Sequence, residues 1–90
     1  MKLDELLDAL RISDENLVKE GDKYVIYLND SDEYQSAYIQ LSKSDIVDLD
    51  DESTIVTEHS NIMKYLADDF DITLECDFDK DVYKIIFEEV

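Results

Sequence analysis

The first residues of the chain follow a helical pattern of apolar positions. Leu3, Leu6, Leu7 and Leu10 are spaced i, i+3, i+4 and i+7, and acidic residues occupy most of the positions between them. This spacing brings the four leucines to one side of a helix. The pattern therefore predicts an amphipathic helix over residues 2–11.

Alternation of apolar and polar residues predicts two hairpins. Gly21 opens a two-residue connection between the apolar runs 16–20 and 23–28, and a glycine-first pair in that place is typical of a tight turn. Apolar residues also alternate with polar ones over 72–78 and again over 83–87. These two stretches predict a second hairpin at the end of the chain.

The middle of the chain has weaker patterns. Alternation over 36–41 predicts a third strand that continues the first hairpin, and 42–52 is expected to be an acidic loop or a short helical turn. Apolar residues at helical spacing predict a helix at about 58–69, while β-branched residues over 54–57 allow a short strand before it.

Together these elements predict one compact acidic domain, residues 1–90, of the α+β class. We expect a mostly antiparallel sheet, made of a three-strand meander plus the C-terminal hairpin, with two helices on one face. No segment rich in Gly, Ser or Pro divides the chain.

Charge is the most unusual property of the sequence. The chain has 25 Asp and Glu against 8 Lys and Arg, for a formal net charge of −17 on 90 residues. Solubility of a small domain requires a net charge of magnitude roughly 2–8. An apolar content of 44% argues against a disordered acidic tail. Direct binding to nucleic acid is disfavoured, because it depends on Lys and Arg that neutralise phosphates.

Catalysis has little support in the sequence. The only histidine, His59, lies on the apolar side of the predicted second helix, where we expect it to be partly buried and structural. One glycine cannot build a phosphate-binding loop. The only cysteine, Cys76, is expected to be a small buried hydrophobic residue on a strand. We therefore expect a protein that is not an enzyme and has no cofactor.

A partial calcium-loop pattern occurs near the C-terminus. Asp77, Asp79, Asp81 and Glu88 match positions 1, 3, 5 and 12 of the EF-hand loop, but Val82 stands where that loop needs glycine. The flanking segments are also predicted to be strands. Because so acidic a chain produces such matches by chance, we expect no metal site.

The acidic residues themselves are the candidate binding groups. Side chains on one face of a strand repeat about every 6.6–6.8 Å, which is of the order of the spacing between phosphates along a nucleic-acid strand. Glu75, Asp77 and Asp79 are predicted to form such a row. The other acidic clusters could extend it, and the alternative is a generally solvated acidic surface. These clusters comprise Asp30, Asp32, Glu33, Asp45, Asp48, Asp50, Asp51, Glu52, Asp68, Asp69 and Asp71.

Two tyrosines are candidate aromatic contacts. If residues 24, 26 and 28 face the helices, then Tyr27 points outward, and Tyr38 does so on the predicted third strand. Exposed tyrosine is common at the centre of protein interfaces. The alternative is aromatic pairing across strands that stabilises the open face of the sheet.

The sequence thus favours an inhibitor that acts by nucleic-acid mimicry, in which carboxylates occupy the basic groove of an enzyme that binds DNA or RNA. In size, charge and lack of motifs the chain resembles phage-encoded DNA mimics and anti-CRISPR proteins, although this resemblance identifies no family. Two alternatives remain, an immunity or antitoxin protein that caps a nuclease toxin and a plain acidic interaction module.

Composition adds the expected setting. Ile, Lys, Asn, Tyr and Phe, whose codons are AT-rich, supply 28 residues against five from Gly, Ala, Arg and Pro, as expected of an AT-rich genome, bacterial or phage. Apolar runs are too short for a membrane span or a signal peptide, so we expect a soluble protein in the cytoplasm. A homodimer would also be compatible with the sequence.

Overall fold

A computed structural model describes residues 2–90, which form an α+β domain with a single sheet. In chain order its elements are α1 (Leu3–Leu10), β1 (Leu17–Glu20), β2 (Lys23–Leu28), α2 (Ser31–Lys43), β3 (Val47–Val56), β4 (Ser60–Ala67), β5 (Phe70–Asp77) and β6 (Val82–Glu89). The sheet has the order β1-β2-β6-β5-β4-β3, and every neighbouring pair is antiparallel. The predicted fold class is confirmed.

The two helices cover one face of this sheet. Their apolar sides and the inward-facing residues of β2 to β6 form one core cluster. Full burial of a Leu, Ile or Phe side chain contributes about 1.5–3 kcal/mol each to folding, so the cluster is the main source of stability. The opposite face of the sheet is open. The most completely buried residues are Leu6, Leu10, Leu41, Tyr65, Ile72, Leu74, Ile85 and Phe87.

The N-terminal helix and both predicted hairpins are confirmed. Gly21 has a φ of +65°, in the left-handed region that suits glycine, and the pair Glu20 and Lys23 closes the turn between β1 and β2. Cys76 is buried on β5 with 1% of its surface exposed, as predicted. Burial raises the pKa of its thiol.

The predicted third strand at 36–41 is wrong, because these residues belong to α2. Asp30 caps this helix: its carboxylate accepts a hydrogen bond from the Glu33 amide at 2.9 Å. The Glu33 carboxylate in turn accepts from the Asn29 amide at 2.7 Å. An acidic residue followed three positions later by Glu is a helix-start signal. It outweighs the short alternation that follows.

The predicted helix at 58–69 is also wrong, since β4 occupies most of that range. Met63 and Tyr65 face the core, whereas Ile62 and Leu66 lie on the open face. Apolar residues on both faces of a strand produce spacings of three and four that imitate a helix. His59 consequently lies in an exposed turn, with its Nδ1 2.8 Å from a carboxylate oxygen of Asp79, and it is not buried.

The segment 42–52 is likewise neither a loop nor a helical turn over most of its length. Its first residues end α2 and its last ones belong to β3. The first meander therefore has only two strands, and β3 to β6 form a four-strand meander whose last strand pairs with β2. Edge strand β3 tolerates its many acids because one side of its backbone has no neighbouring strand.

Candidate partner-binding surface

The densest acidic segment lies along the edge of the sheet. Five carboxylates lie at the start of β3 and in the turn before it, and we call this set the β3 ridge. Four of them are exposed and Asp50 is half-buried. The β3 ridge consists of Asp45, Asp48, Asp50, Asp51 and Glu52.

Local hydrogen bonds hold the backbone of the β3 ridge. The pairing of β3 with β4 shifts register between Asp50 and Ile55, which marks a bulge. The Asp50 carboxylate accepts a hydrogen bond from the Ser53 hydroxyl at 2.9 Å, and the Asp50 carbonyl accepts from the Thr54 hydroxyl at 3.3 Å. Buried Val47 anchors the start of the strand. These contacts hold the backbone of the ridge from Val47 to Thr54.

The charge density of the β3 ridge is close to that of a nucleic-acid strand. Eight extended residues reach at most about 26 Å, so five carboxylates over residues 45–52 give one charge per about 5 Å. A single strand of B-DNA has one phosphate per about 3.4 Å of axis. The ridge therefore carries a negative charge per unit length of the same order as that of one nucleic-acid strand.

No carboxylate of the β3 ridge forms an ion pair within 4.0 Å in residues 2–90. The ion pairs within 4.0 Å in that range involve other carboxylates, namely Glu75, Asp79 and Glu88. Lys64 is the cross-strand neighbour of Asp50, but no ion pair joins them. The negative potential of this edge is consequently exposed to solvent.

The predicted row on β5 is more constrained than the β3 ridge. Glu75 lies 3.9 Å from the Lys84 ammonium, and Asp79 pairs with His59. The Asp77 carboxylate accepts hydrogen bonds from the backbone amides of residues 79 and 80, both at 3.1 Å, and so holds the turn. Glu75 and Asp77 share the open face of β5, whereas Asp79 lies in the turn beyond it. Each carboxylate of this predicted row therefore has a neighbouring ammonium, imidazole or backbone amide as a partner.

The two remaining predicted clusters lie at opposite ends of the sheet. Asp68, Asp69 and Asp71 lie in and just after the turn between β4 and β5. The cluster of Asp30, Asp32 and Glu33 lies at the start of α2, near the other end. Strand β5 has eight residues, so about 25 Å of strand separates these ends. The structure does not join the clusters into one row.

The turn between β5 and β6 lies at the same end of the sheet as the start of α2. The Tyr83 hydroxyl donates a hydrogen bond to Asp81 at 2.7 Å. This bond, together with desolvation and nearby negative charge including that of Asp30, raises the pKa of Tyr83 to about 12. Asp30 thus lies close enough to this turn to add to its negative potential.

The two predicted aromatic contacts are exposed but lie on different surfaces. Tyr27 is on the open face of β2 with 40% of its surface exposed, and its hydroxyl donates a hydrogen bond to Glu20. That bond raises the pKa of Tyr27. Tyr38 is 41% exposed, as predicted, but it lies on α2 and not on a strand. The two rings therefore cannot form one aromatic centre.

Exposed apolar residues on α2 and β3 are a feature that sequence reasoning missed. Tyr38 and Ile39 of α2 and Leu49 and Val56 of β3 have exposed fractions of 41, 45, 45 and 72%. Leu49 and Val56 share the helix-covered face of β3 by register, whereas Ile39 lies about 180° around α2 from buried Ala37 and Leu41. These four residues therefore do not form one surface.

A cleft of about 430 Å³ lies between α2 and strand β2. Its floor is apolar and includes Ile26 and Ile85, and its rim has charges of both signs, among them Arg11, Asp32 and Glu33. The described residues contain no group of three or more His, Cys, Asp or Glu side chains arranged to hold a metal ion.

Within residues 2–90, no helix is long and apolar enough to cross a membrane. Comparison with family models, characterised proteins and solved structures found no match to this chain. The surface geometry therefore carries the functional argument.

Proposed function

We propose that this protein is a non-catalytic inhibitor that acts by nucleic-acid mimicry. The β3 ridge would occupy a basic groove of a protein that binds DNA or RNA, with carboxylates where phosphates would lie. The observation that carries the proposal is the ridge itself, five carboxylates on an edge strand and the turn before it, none of which forms an ion pair within 4.0 Å among the described residues.

The overall charge supports the same function. A net charge of −17 produces a field that attracts a basic partner before contact, and such steering raises association rates at low salt. The ridge then supplies a dense local charge at the point of contact. Long-range attraction and local complementarity therefore favour the same class of partner.

Protection of the sheet edge is the alternative explanation for these acids. Charged side chains and bulges both prevent an edge strand from pairing with other chains. Because β3 already has a bulge near its centre, five carboxylates exceed what protection alone requires. A binding role accounts for the excess.

The amino-acid composition, rich in residues with AT-rich codons, is compatible with a phage of an AT-rich host as the source, and the place of action would then be the host cytoplasm. The targets would then be host enzymes with basic grooves, including restriction and CRISPR nucleases. Their common feature is a surface built for polyphosphate.

Capture and competition test the proposal. The protein is immobilised, proteins retained from a bacterial lysate are identified, and duplex DNA is added as a competitor. We expect a basic nucleic-acid-binding protein that DNA displaces, with an affinity that falls steeply between about 50 and 200 mM salt.

A captured protein that duplex DNA does not displace, with an affinity that salt leaves unchanged, would contradict mimicry. That result would favour an immunity or antitoxin protein that caps a toxin through aromatic anchors. A neighbouring toxin gene would then be expected.

A further inference from the structure

The cleft between α2 and β2 opens on the helix-covered side of the sheet. Four residues of α2 form one of its walls, and their spacing of i, i+3, i+4 and i+7 places them on a single side of the helix. These residues are Glu33, Ser36, Ala37 and Gln40. The other wall belongs to the connection between α1 and β1, within the range 11–16.

The floor of the cleft is apolar. Ile26 and Ile85 are buried beneath it, and half-buried Ile12 and Leu28 border it. The volume of about 430 Å³ is near the lower end of the range of about 300–1,000 Å³ for sites that hold small ligands. A whole helix is about 10–12 Å in diameter. The space therefore suits one long side chain of a partner and not a complete helix.

The charges that line the cleft favour a cation. They comprise three carboxylates, those of Glu15, Asp32 and Glu33, and one guanidinium, that of Arg11. No ion pair within 4.0 Å in residues 2–90 involves any of these four side chains. The Glu33 carboxylate is already occupied by hydrogen bonds from Asn29. The carboxylates of Glu15 and Asp32 are the ones that remain for a cation from outside.

An anion is disfavoured at the same place. The start of α2 would otherwise attract one, but the Asp30 and Glu33 carboxylates already accept hydrogen bonds from the amides of Glu33 and Asn29. The net charge of −17 also repels an anion or a second copy of this chain. The part of the chain that the structure describes has no cluster of acidic, His or Cys side chains suited to a metal ion.

Among cationic side chains, arginine fits the cleft better than lysine. Its apolar stem can lie on the floor while its guanidinium reaches the carboxylates. Further acceptors line the cleft, namely the side-chain oxygens of Asn16, Ser36 and Gln40. A guanidinium has five donors in one plane and is weakly hydrated, whereas an ammonium is a strongly hydrated point charge. The cleft therefore offers both the apolar surface and the acceptors that a guanidinium uses.

We infer that the cleft between α2 and β2 binds an arginine side chain of the partner protein. This inference rests on the proposed function, which supplies a basic partner, and it adds a second contact away from the β3 ridge. Four strand positions separate β2 from β3, which is about 19 Å across the sheet. An interface of ordinary size, about 800 Å² on each partner, spans that distance.

Nuclear magnetic resonance titrations with blocked amino acids test the inference. The probes are N-acetyl-arginine methylamide and the neutral N-acetyl-citrulline methylamide, at about 150 mM salt so that long-range attraction is screened. We expect the arginine probe to bind about three- to fivefold more tightly than the citrulline probe. The largest chemical-shift changes should occur at backbone amides of the cleft, among them those of Ser36, Ala37 and Gln40.

Two pairs of variants locate the binding. Ser36→Leu introduces an apolar side chain into the cleft, and Gln35→Leu makes a similar change on the opposite side of α2. Asp32→Asn removes a carboxylate of the cleft, and Glu58→Gln removes an exposed one in the turn between β3 and β4. We expect Ser36→Leu and Asp32→Asn to weaken binding of the arginine probe about threefold or more, with both controls within about 1.5-fold of the wild type.

Affinity for the captured protein tests whether the occupant comes from the partner. Ser36→Leu should bind that protein about fivefold more weakly than Gln35→Leu does. Equal affinity of the two variants would exclude the partner's arginine as the occupant.

Several outcomes of the titrations would overturn the inference. These are equal affinity for arginine and citrulline, shift changes concentrated outside the cleft, and equal binding of the arginine probe by Ser36→Leu and Gln35→Leu. If Ser36→Leu does not fold, equal binding by Asp32→Asn and Glu58→Gln would have the same meaning. An N-acetyl-lysine methylamide probe that binds as tightly as the arginine probe would exclude the assignment to arginine.

The titrations are independent of the competition assay with DNA. If the arginine probe binds in the cleft but DNA does not displace the captured protein, the cleft stands as an arginine site and mimicry fails. If DNA displaces the captured protein but the arginine and citrulline probes bind equally, mimicry stands and the cleft contact fails.

Discussion

Neutralising exposed carboxylates of the β3 ridge should stabilise the fold. The triple variant Asp48→Asn, Asp51→Asn and Glu52→Gln changes the formal net charge from −17 to −14. It spares Asp50, whose carboxylate accepts the hydrogen bond that supports the bulge. All three altered side chains are exposed and lie outside the ion pairs of the described residues. The substitution therefore removes repulsion without removing a contact.

The size of the effect follows from Coulomb's law. Two charges about 7 Å apart in water repel by roughly 0.6 kcal/mol before screening, and the triple variant removes nine of the ten pairs within the ridge. The unscreened sum is about 3–4 kcal/mol. Most of it persists in the unfolded chain, where these residues are still close in sequence. We therefore expect a gain of about 1 kcal/mol in the free energy of unfolding, or an increase of about 4–8 °C in Tm.

A matched triple variant separates position from net charge. Glu75→Gln, Asp79→Asn and Glu88→Gln also give −14, but each change removes a carboxylate that pairs with Lys84, His59 or Lys23. We expect this variant to have the same Tm as the wild-type protein or a lower one.

The Tm of both variants is measured by circular dichroism at about 10 mM and about 1 M NaCl. The Debye screening length shortens from about 30 Å to about 3 Å across that range. The increase in Tm of the ridge variant should therefore largely disappear at the higher salt. Equal stabilisation by the two triple variants, or a gain that persists at high salt, would show that repulsion within the β3 ridge does not limit stability.

Three further predictions concern individual contacts. Tyr34→Phe removes the hydroxyl that accepts the hydrogen bond from the Asn61 side-chain amide, whose oxygen already has no partner among the described residues. We expect the free energy of unfolding, measured in urea, to fall by about 1–3 kcal/mol. An unchanged urea midpoint would contradict this prediction. Asp81→Asn should lower the pKa of Tyr83 from about 12 towards 10.0 in an ultraviolet titration, because Asn tolerates the φ of 53° but carries no charge. Because the pKa of Tyr83 is raised in the folded state, the hydrogen bond between Tyr83 and Asp81 should stabilise the wild-type protein below pH 10, and this stabilisation should be lost as pH rises from 10 to 12. Identical pH dependence of unfolding in the two proteins would contradict this prediction. Gly21→Ala should lower the free energy of unfolding by about 1–2 kcal/mol. The backbone φ of +65° is the sole cause, because a Cβ at this position meets nothing within 4 Å. Gly21→Asn is the control with a smaller expected loss, and equal stability of all three proteins would exclude backbone strain.

The parts of the fold that the sequence predicts correctly are those with one apolar face and a clear turn. Helix α1 and strand β5 each present apolar residues to one side only, so a single period fits them. Strand β4 is mispredicted as a helix because it has apolar residues on both faces, Ile62 and Leu66 on the open face and Met63 and Tyr65 on the core face. Their combined spacing imitates a helical period. Only the neighbouring strands decide between the two periods.

The candidate surface is predictable in composition and not in arrangement. The acidic residues can be read directly, but their grouping depends on the sheet order, which places β3 at an edge and the clusters near Asp30 and Asp68 at opposite ends. The sequence predicts Tyr38 to be exposed on a strand, and it is exposed for a different reason, as part of α2. Long-range strand pairing determines these positions, and no local pattern encodes it.

The affinity of the two triple variants for the captured nucleic-acid-binding protein is the decisive measurement for mimicry by the β3 ridge. Both have the same net charge, so they differ only in which carboxylates are lost. At low salt we expect the β3 ridge variant to bind about tenfold more weakly than the wild-type protein, or weaker still, with a smaller salt dependence. The variant that alters the ion-paired carboxylates should remain within about twofold of the wild type. Equal weakening of both, or wild-type affinity in the ridge variant, would contradict the account.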